Sequence, residues 1–268
     1  MASKGIQISY YDYNAFIIEK NQYRIAIDPG TSLYLLNLGT LIPKEKWEEV
    51  THILVTHGDP DHYWNADRVA EASGAPLICG SELVQVRDGE SFIVSPRTKK
   101  FQHATQVSRV YPLDHGQKID VDGISVKALP ATHGDLTISL LFGVARKTIT
   151  RRPGEHFAVG ETGFLIETEG VTLANLGDTL PRDEWNGLKL DILMIPIGGK
   201  SSGNTMDEGE ALKAVEMIQP DIVIPCHYNC GFLFSRHANP ADEIWFRDEV
   251  KKQGKECLLM KPGDILSI

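Results

Sequence analysis

Within six residues, His57-Gly-Asp59-Pro-Asp61-His62, the chain places two imidazoles and two carboxylates, immediately after the apolar run His52-Ile-Leu-Val-Thr56. The run reads as a buried strand, so the polar cluster sits at a strand end. Packing like charges this tightly costs energy unless a cation neutralises them. A bound metal is the simplest such cation. The alternative is an Asx/Pro turn that contains two histidines by coincidence.

The same event recurs down the chain. Ile124–Pro130 alternates as a strand and ends in Ala131-Thr-His133-Gly; Val171–Leu176 ends in Gly177-Asp178; Asp221–Pro225 ends in Cys226-His227. Four apolar runs thus each stop at a metal-competent side chain beside a turn. In layered α/β architecture ligands gather where strand ends converge at one edge. His52, His103, His115 and His237 lack that context and read as turn or solvent residues. Asp28, ending the strand Tyr23–Ile27, either starts a Pro-Gly turn or orients a ligand histidine from behind.

Around these strands the spacing predicts helices over Pro43–Val50, Asn65–Ser73 (with Asn65 as cap and Gly74 as stop), Asp207–Gln219 and Pro240–Gln253. Paired strands are expected over Ile6–Tyr10, Ala15–Glu19 and Tyr23–Ile27, a hairpin over Phe164–Leu176, and a last strand over Cys257–Met260. Residues 88–106 look less regular, and the basic Arg97, Lys99 and Lys100 there read as a solvated loop. Residues 143–160 look like a long irregular excursion carrying Arg146, Lys147, Arg151, Arg152 and His156, the profile of a lid or binding loop. No linker or composition break divides residues 1–268, so a single domain is expected.

Composition narrows the partners. A formal net charge of −9 argues against a nucleic-acid or anionic-membrane binder. No stretch approaches the ~18 apolar residues of a membrane span, and no apolar leader follows Met1. Four cysteines (Cys79, Cys226, Cys230, Cys257) do not make a disulfide framework at this length, and a cytoplasmic location is expected. The expected partner is a small-molecule substrate, with self-association left open.

The series His57-x-Asp59-x-Asp61-His62, His133, Asp178, His227 resembles the metallo-β-lactamase superfamily, whose usual first motif is His-x-His-x-Asp-His. More narrowly, Ile195-Pro-Ile-Gly-Gly, Thr205-Met-Asp207 and Ile224-Pro-Cys-His227-Tyr228 resemble its small metal-dependent hydrolases related to ascorbate-6-phosphate lactonase. The resemblance implies a four-layer αββα sandwich with two divalent ions at one edge. His57, Asp59 and His133 would hold the first ion, Asp61, His62 and His227 the second, and Asp178 would bridge them. Asp59 stands where histidine is commonest, which by ligand hardness shifts preference from zinc toward manganese or iron. The expected reaction is attack of a metal-bridged hydroxide, oriented by Asp61, on a lactone, ester or amide. Tyr228 or a metal would stabilise the oxyanion, and Arg151, Arg152 and His156 would grip an anionic substrate group. A small-molecule phosphodiesterase and a di-iron redox protein are the alternatives.

Overall fold

The computed structural model describes residues 5–31, 39–94, 104–140, 145–150, 158–231 and 237–268. The first half supplies β1 (Gln7–Tyr10), β2 (Phe16–Lys20), β3 (Tyr23–Ile27), β4 (His52–Val55), β5 (Leu77–Gly80), β6 (Val84–Arg87), β7 (Glu90–Val94), β8 (Ala104–Gln106) and β9 (Val110–Leu113). The second half supplies β10 (Lys118–Val121), β11 (Ile124–Pro130), β12 (Leu136–Leu140), β13 (Ala145–Ile149), β14 (Thr162–Thr168), β15 (Val171–Asn175), β16 (Ile192–Pro196) and β17 (Ile222–Cys226). Four short strands complete it: β18 (Cys230–Gly231), β19 (His237–Ala238), β20 (Glu256–Cys257) and β21 (Ile265–Ser267). The helices are α1 (Pro60–Tyr63), α2 (Ala66–Ser73), α3 (Glu208–Ile218) and α4 (Glu243–Lys252).

Two seven-stranded sheets dominate, ordered β21-β1-β2-β3-β4-β5-β9 and β10-β11-β14-β15-β16-β17-β20. Each makes three antiparallel steps followed by three parallel ones. Side chains alternate between sheet faces, so each strand feeds two cores. Ile8, Ile18, Ile25 and Leu54 of one sheet meet Val126, Ile166, Leu173 and Ile224 of the other in a shared central core. The opposite face of the first sheet packs Ile53 and Val55 against Trp47, Tyr63, Val69 and Ala70. That of the second packs Leu193, Ile195 and Val223 against Val215, Ile218, Phe246 and Val250. Helix, sheet, sheet, helix is the expected sandwich.

Parallel strands β4, β15 and β17, together with β3 and β11, end at one edge. That common polarity brings residues far apart in sequence together there.

Several local expectations need correction. Residues 44–49 form a 3-10 helix, not an α-helix. Asn65 adopts φ +78° and makes no capping bond; its Nδ2 donates to Gly30 O instead, so it holds the neighbouring turn. Part of the irregular excursion is β13, an antiparallel partner of β12, and β7 and β8 lie in the stretch read as irregular. The last edge strand is β21, paired with β1, whereas the strand expected over Cys257–Met260 shrinks to β20. Among the described residues no helix is long and apolar enough to cross a membrane.

Candidate metal centre

Strand β4 delivers the chain to Thr56, and Pro60 then starts the single turn α1, which turns Asp61 and His62 inward. Gly30 makes room for this turn: a Cβ there would sit 2.0 Å from Asp61 O. Backbone bonds from Thr31 N to Pro60 O (3.0 Å) and from His62 N to Asp59 O (3.0 Å) fix it further. His133 arrives from β11, Asp178 from β15, and His227, at φ +51°, from β17.

The seven side chains form three overlapping groups: His57–Asp59–His133, His57–His62–Asp178 and Asp61–His62–His227, with donor atoms inside each within 4.8 Å of one another. Asp59 Oδ2 lies 3.6 Å from both His57 Nε2 and His133 Nε2. Asp61 Oδ2 lies 3.5 Å from His62 Nε2 and 3.3 Å from His227 Nε2. Asp178 Oδ2 sits centrally, 3.7, 3.9 and 3.2 Å from the Nε2 atoms of His62, His133 and His227.

All four imidazoles present Nε2 because Nδ1 is committed elsewhere. His62 Nδ1 donates to Asp28 Oδ2 at 2.7 Å, and His133 Nδ1 to Gly134 O at 2.7 Å. Thr56 Oγ1 donates to Asp28 Oδ2 (2.6 Å), which leaves it free to accept from His57 Nδ1 at 3.1 Å. The Asn239 amide lies 2.7 Å from His227 Nδ1. The atom facing it is Nδ2; a metal at Nε2 requires the amide exchanged end for end, so that its oxygen accepts the Nδ1 proton.

Burial and charge explain the protonation pattern of the metal-free cluster. Burial drives His57 well below the usual imidazole range, and burial with the neighbouring His57 takes His133 down to about 4. Burial also opposes charge on His62, but Asp61, Asp178 and Asp28 outweigh it and raise that group well above its ordinary value. His227 is raised likewise, burial being overcome by Asp178 and a bond to Asp61. Burial would lift Asp61, yet the adjacent His62 holds it well below the carboxylate range. Burial pushes Asp59 up and Asp178 up to about 6. Protons on His62 and His227 therefore stand in for positive charge on one side, while Asp59 has no such partner on the other.

Buried His57 Nε2, His62 Nε2 and Asp178 Oδ1 have no hydrogen-bond partner. Buried polar atoms are normally satisfied. Three unsatisfied donor atoms aimed at one point, with carboxylates between them, fit divalent cations.

The sequence missed the supports: Thr56, Asn14, Asn175, Asn239, and Asn204, whose Nδ2 donates to Asp178 Oδ2 at 2.9 Å. Only Asp28 carried a sequence signal. Tyr228 goes elsewhere: it lines a cavity of about 630 Å³ with Tyr10, Glu243 and Met260, and burial with Glu243 pushes its phenol above the ordinary range. The tyrosine ring against His227 is that of Tyr13, at 5.6 Å and edge-on. Arg151, Arg152 and His156 lie outside the described residues. All four cysteines are buried and free, as expected of structural thiols.

A profile of the beta-lactamase superfamily domain matches residues 7–227. A UPF0173 metal-dependent hydrolase of Pyrobaculum arsenaticum is 30% identical, over 98% of this chain and 100% of that protein. One from Carboxydothermus hydrogenoformans is 28% identical, over 97% of this chain and 99% of that protein. Among solved structures, Igni18, a metallo hydrolase from Ignicoccus hospitalis, superposes with a TM-score of 0.70 at 22% identity, covering 98% of both chains.

Proposed function

From the premise that this chain belongs to the metallo-β-lactamase superfamily, among its metal-dependent hydrolases, we propose that it is a two-metal enzyme cleaving a small lactone, ester or amide that carries an anionic group. The observation that carries this reading is the central position of Asp178 Oδ2, within 3.9 Å of three imidazole nitrogens from three different strand ends. One carboxylate shared by two donor sets is what a pair of neighbouring cations requires.

His57, Asp59 and His133 would hold one ion and Asp61, His62 and His227 the other, with Asp178 common to both. Bound divalent ions at such a site acidify water and polarise a carbonyl or phosphoryl oxygen. The chain's own contribution is orientation and proton transfer. Asp61 accepts a hydrogen bond from the attacking water and then its proton as the new C–O bond forms, and returns that proton to the leaving alkoxide or amine as the scissile acyl C–O or C–N bond breaks. Asp59 is kept single-pronged because Ala158 N donates to its Oδ1 at 2.8 Å, leaving Oδ2 for the cluster. An oxygen ligand in place of the commoner histidine favours manganese or iron over zinc at that position.

An anionic substrate is supported by the described residues that flank the basic sequence 151–157. Immediately before it, Thr150 Oγ1 donates to Asp135 Oδ2 (3.2 Å), two residues beyond His133; immediately after it, Ala158 is bonded to Asp59. The flanking residues are thus linked to the chain just beyond His133 and to Asp59, and the sequence between them carries Arg151, Arg152 and His156 as candidate anion-binding groups. The likeness of Ile195–Gly199 and Ile224–Tyr228 to the lactonase-related hydrolases supports a lactone or ester over a phosphodiester.

The test is metal analysis of the purified protein followed by a screen of lactones, esters, amides and phosphodiesters after reconstitution with zinc, manganese or iron. Two equivalents of metal and metal-dependent hydrolysis of an anionic lactone or ester are expected. With that substrate, Arg151→Ala/Arg152→Ala should raise KM while metal content holds. A protein that binds no metal, or cleaves only phosphodiesters, refutes the reading.

A further inference from the structure

Behind the metal edge lies a buried polar hub. Asn14 precedes β2 in the first sheet and is 1% exposed; Asn175 ends β15 in the second and is fully buried. Their side-chain amides form a reciprocal pair across the sandwich, each Nδ2 donating to the other's Oδ1 at 2.9 Å. The second hydrogen of Asn14 Nδ2 goes to Asp28 Oδ2 at 2.6 Å, and its Oδ1 also accepts from Cys226 Sγ at 3.3 Å. Asn175 Oδ1 also accepts from Gly177 N at 3.0 Å. Every hydrogen-bonding capacity of the Asn14 amide is used inside the protein.

The orientations are forced in sequence. Asp28 is acceptor-only and also receives Thr56 N (2.7 Å), Thr56 Oγ1 and His62 Nδ1, so Asn14 must face it with nitrogen. That choice fixes the Asn175 amide, which in turn fixes the backbone at Gly177, one residue before Asp178. Asn14 thereby reaches His62 through Asp28, Asp178 through Asn175, and the strand end carrying His227 through Cys226. The same turn adds a direct hold, since His227 N donates to Tyr13 O at 2.8 Å. Of the first group only His57 is linked to the hub, at one remove through Thr56 and Asp28; His133 and Asp59 are tied instead to Gly134 and Ala158.

We propose that Asn14 is a positioning residue weighted to one half of the centre: it registers the two sheets so that His62, Asp178 and His227 converge, setting affinity for the second metal more strongly than for the first, which it reaches only through the shared Asp178 and through Asp28, Thr56 and His57. The inference rests on the two-metal reading above. Removing a residue that orients a metal ligand typically weakens binding by about 10–100-fold, and here the larger loss falls on one equivalent.

The experiment titrates zinc or manganese into chelator-stripped parent, Asn14→Asp and Asn175→Ala, against a chromophoric chelator, with urea melts of each metal-free protein. Asn14→Asp keeps the size of the side chain and removes both donated hydrogens; Asn175→Ala breaks the pair from the other sheet. The expected result is one equivalent weakened at least tenfold and the other weakened clearly less in both variants. A merely structural role would lower the metal-free urea midpoint and leave both affinities within threefold, which overturns the proposal. Equal weakening of both equivalents overturns it too. Should Asn14→Asp fail to fold, Asn175→Ala decides alone. A parent that takes up no metal would instead remove the two-metal reading, and the proposal with it.

Discussion

Adding one methyl group at Gly30 tests whether the centre depends on the exact seat of the His57–His62 turn. An alanine Cβ at this position would lie 2.0 Å from Asp61 O, 2.1 Å from Asp61 C and 2.6 Å from His62 N. Ordinary contact begins near 3.4 Å, so the backbone carrying Asp61 must retreat by about 1.4 Å. Nothing flexible absorbs this, because all three atoms are backbone. The turn is also tied to the same segment by Thr31 N to Pro60 O and Asn65 Nδ2 to Gly30 O. Metal–ligand distances tolerate roughly 0.2 Å, and a misplacement of about 1 Å can cost ~10²-fold in rate. Gly30→Ala should therefore lose the Asp61–His62–His227 equivalent, weakening it at least tenfold, and reduce kcat/KM about 100-fold. Gly74→Ala is the control: its Cβ would meet nothing within 4 Å, and only φ +70° opposes it. It should cost about 1 kcal/mol of stability and leave metal binding unchanged. Elemental analysis, chelator competition and urea denaturation read all of this. Full occupancy of Gly30→Ala at parental affinity would refute the steric argument.

Asp178→Ala should lose both metals together, whereas His227→Ala should mainly empty the second; parental stoichiometry in Asp178→Ala would sink the bridging assignment. Asp59→His should shift metal preference toward zinc, read as the ratio of zinc to manganese affinity in the stripped protein, and an unchanged ratio counts against the ligand-hardness argument. His52 tests burial away from the centre. Its imidazole is buried, with Nε2 3.0 Å from Val121 O, and burial holds its pKa below the ordinary 6.5. Below that value the unfolded chain takes up a proton that the folded one refuses, so this contribution is complete above pH 6.5 and is lost as pH falls toward the depressed folded value. Metal-free parent should accordingly lose stability more steeply between pH 7.5 and 5.5 than His52→Gln; parallel curves would show that His52 is not the group responsible.

Local sequence was enough to pick out the seven side chains that the fold brings together. Each occupies a strand end where an apolar run meets a turn, and a cluster such as His57–His62 is costly without a cation, so all seven were legible without coordinates. The strands of the two sheets were legible for the same reason, since alternation and apolar runs are imposed by the burial of each face. The catalytic order of the donors and the charge on each are different. Asp178 is central only because β15 lies beside β16 and β17 in one sheet while β4 ends opposite it in the other. Which nitrogen each histidine presents depends on Asp28, Gly134, Thr56 and Asn239, partners chosen by the fold. Tyr228 shows the limit from the other side: adjacency to His227 in the chain suggested adjacency in the site, yet its ring packs into a different cavity and Tyr13 takes the place beside the imidazole. Asn14 carries no pattern at all, because a lone asparagine in a Tyr-rich turn acquires meaning only when a second sheet closes over it. Sequence sets which groups must be neutralised; packing of one sheet on the other decides which of them meet, since long-range contact is a property of topology and not of any local run.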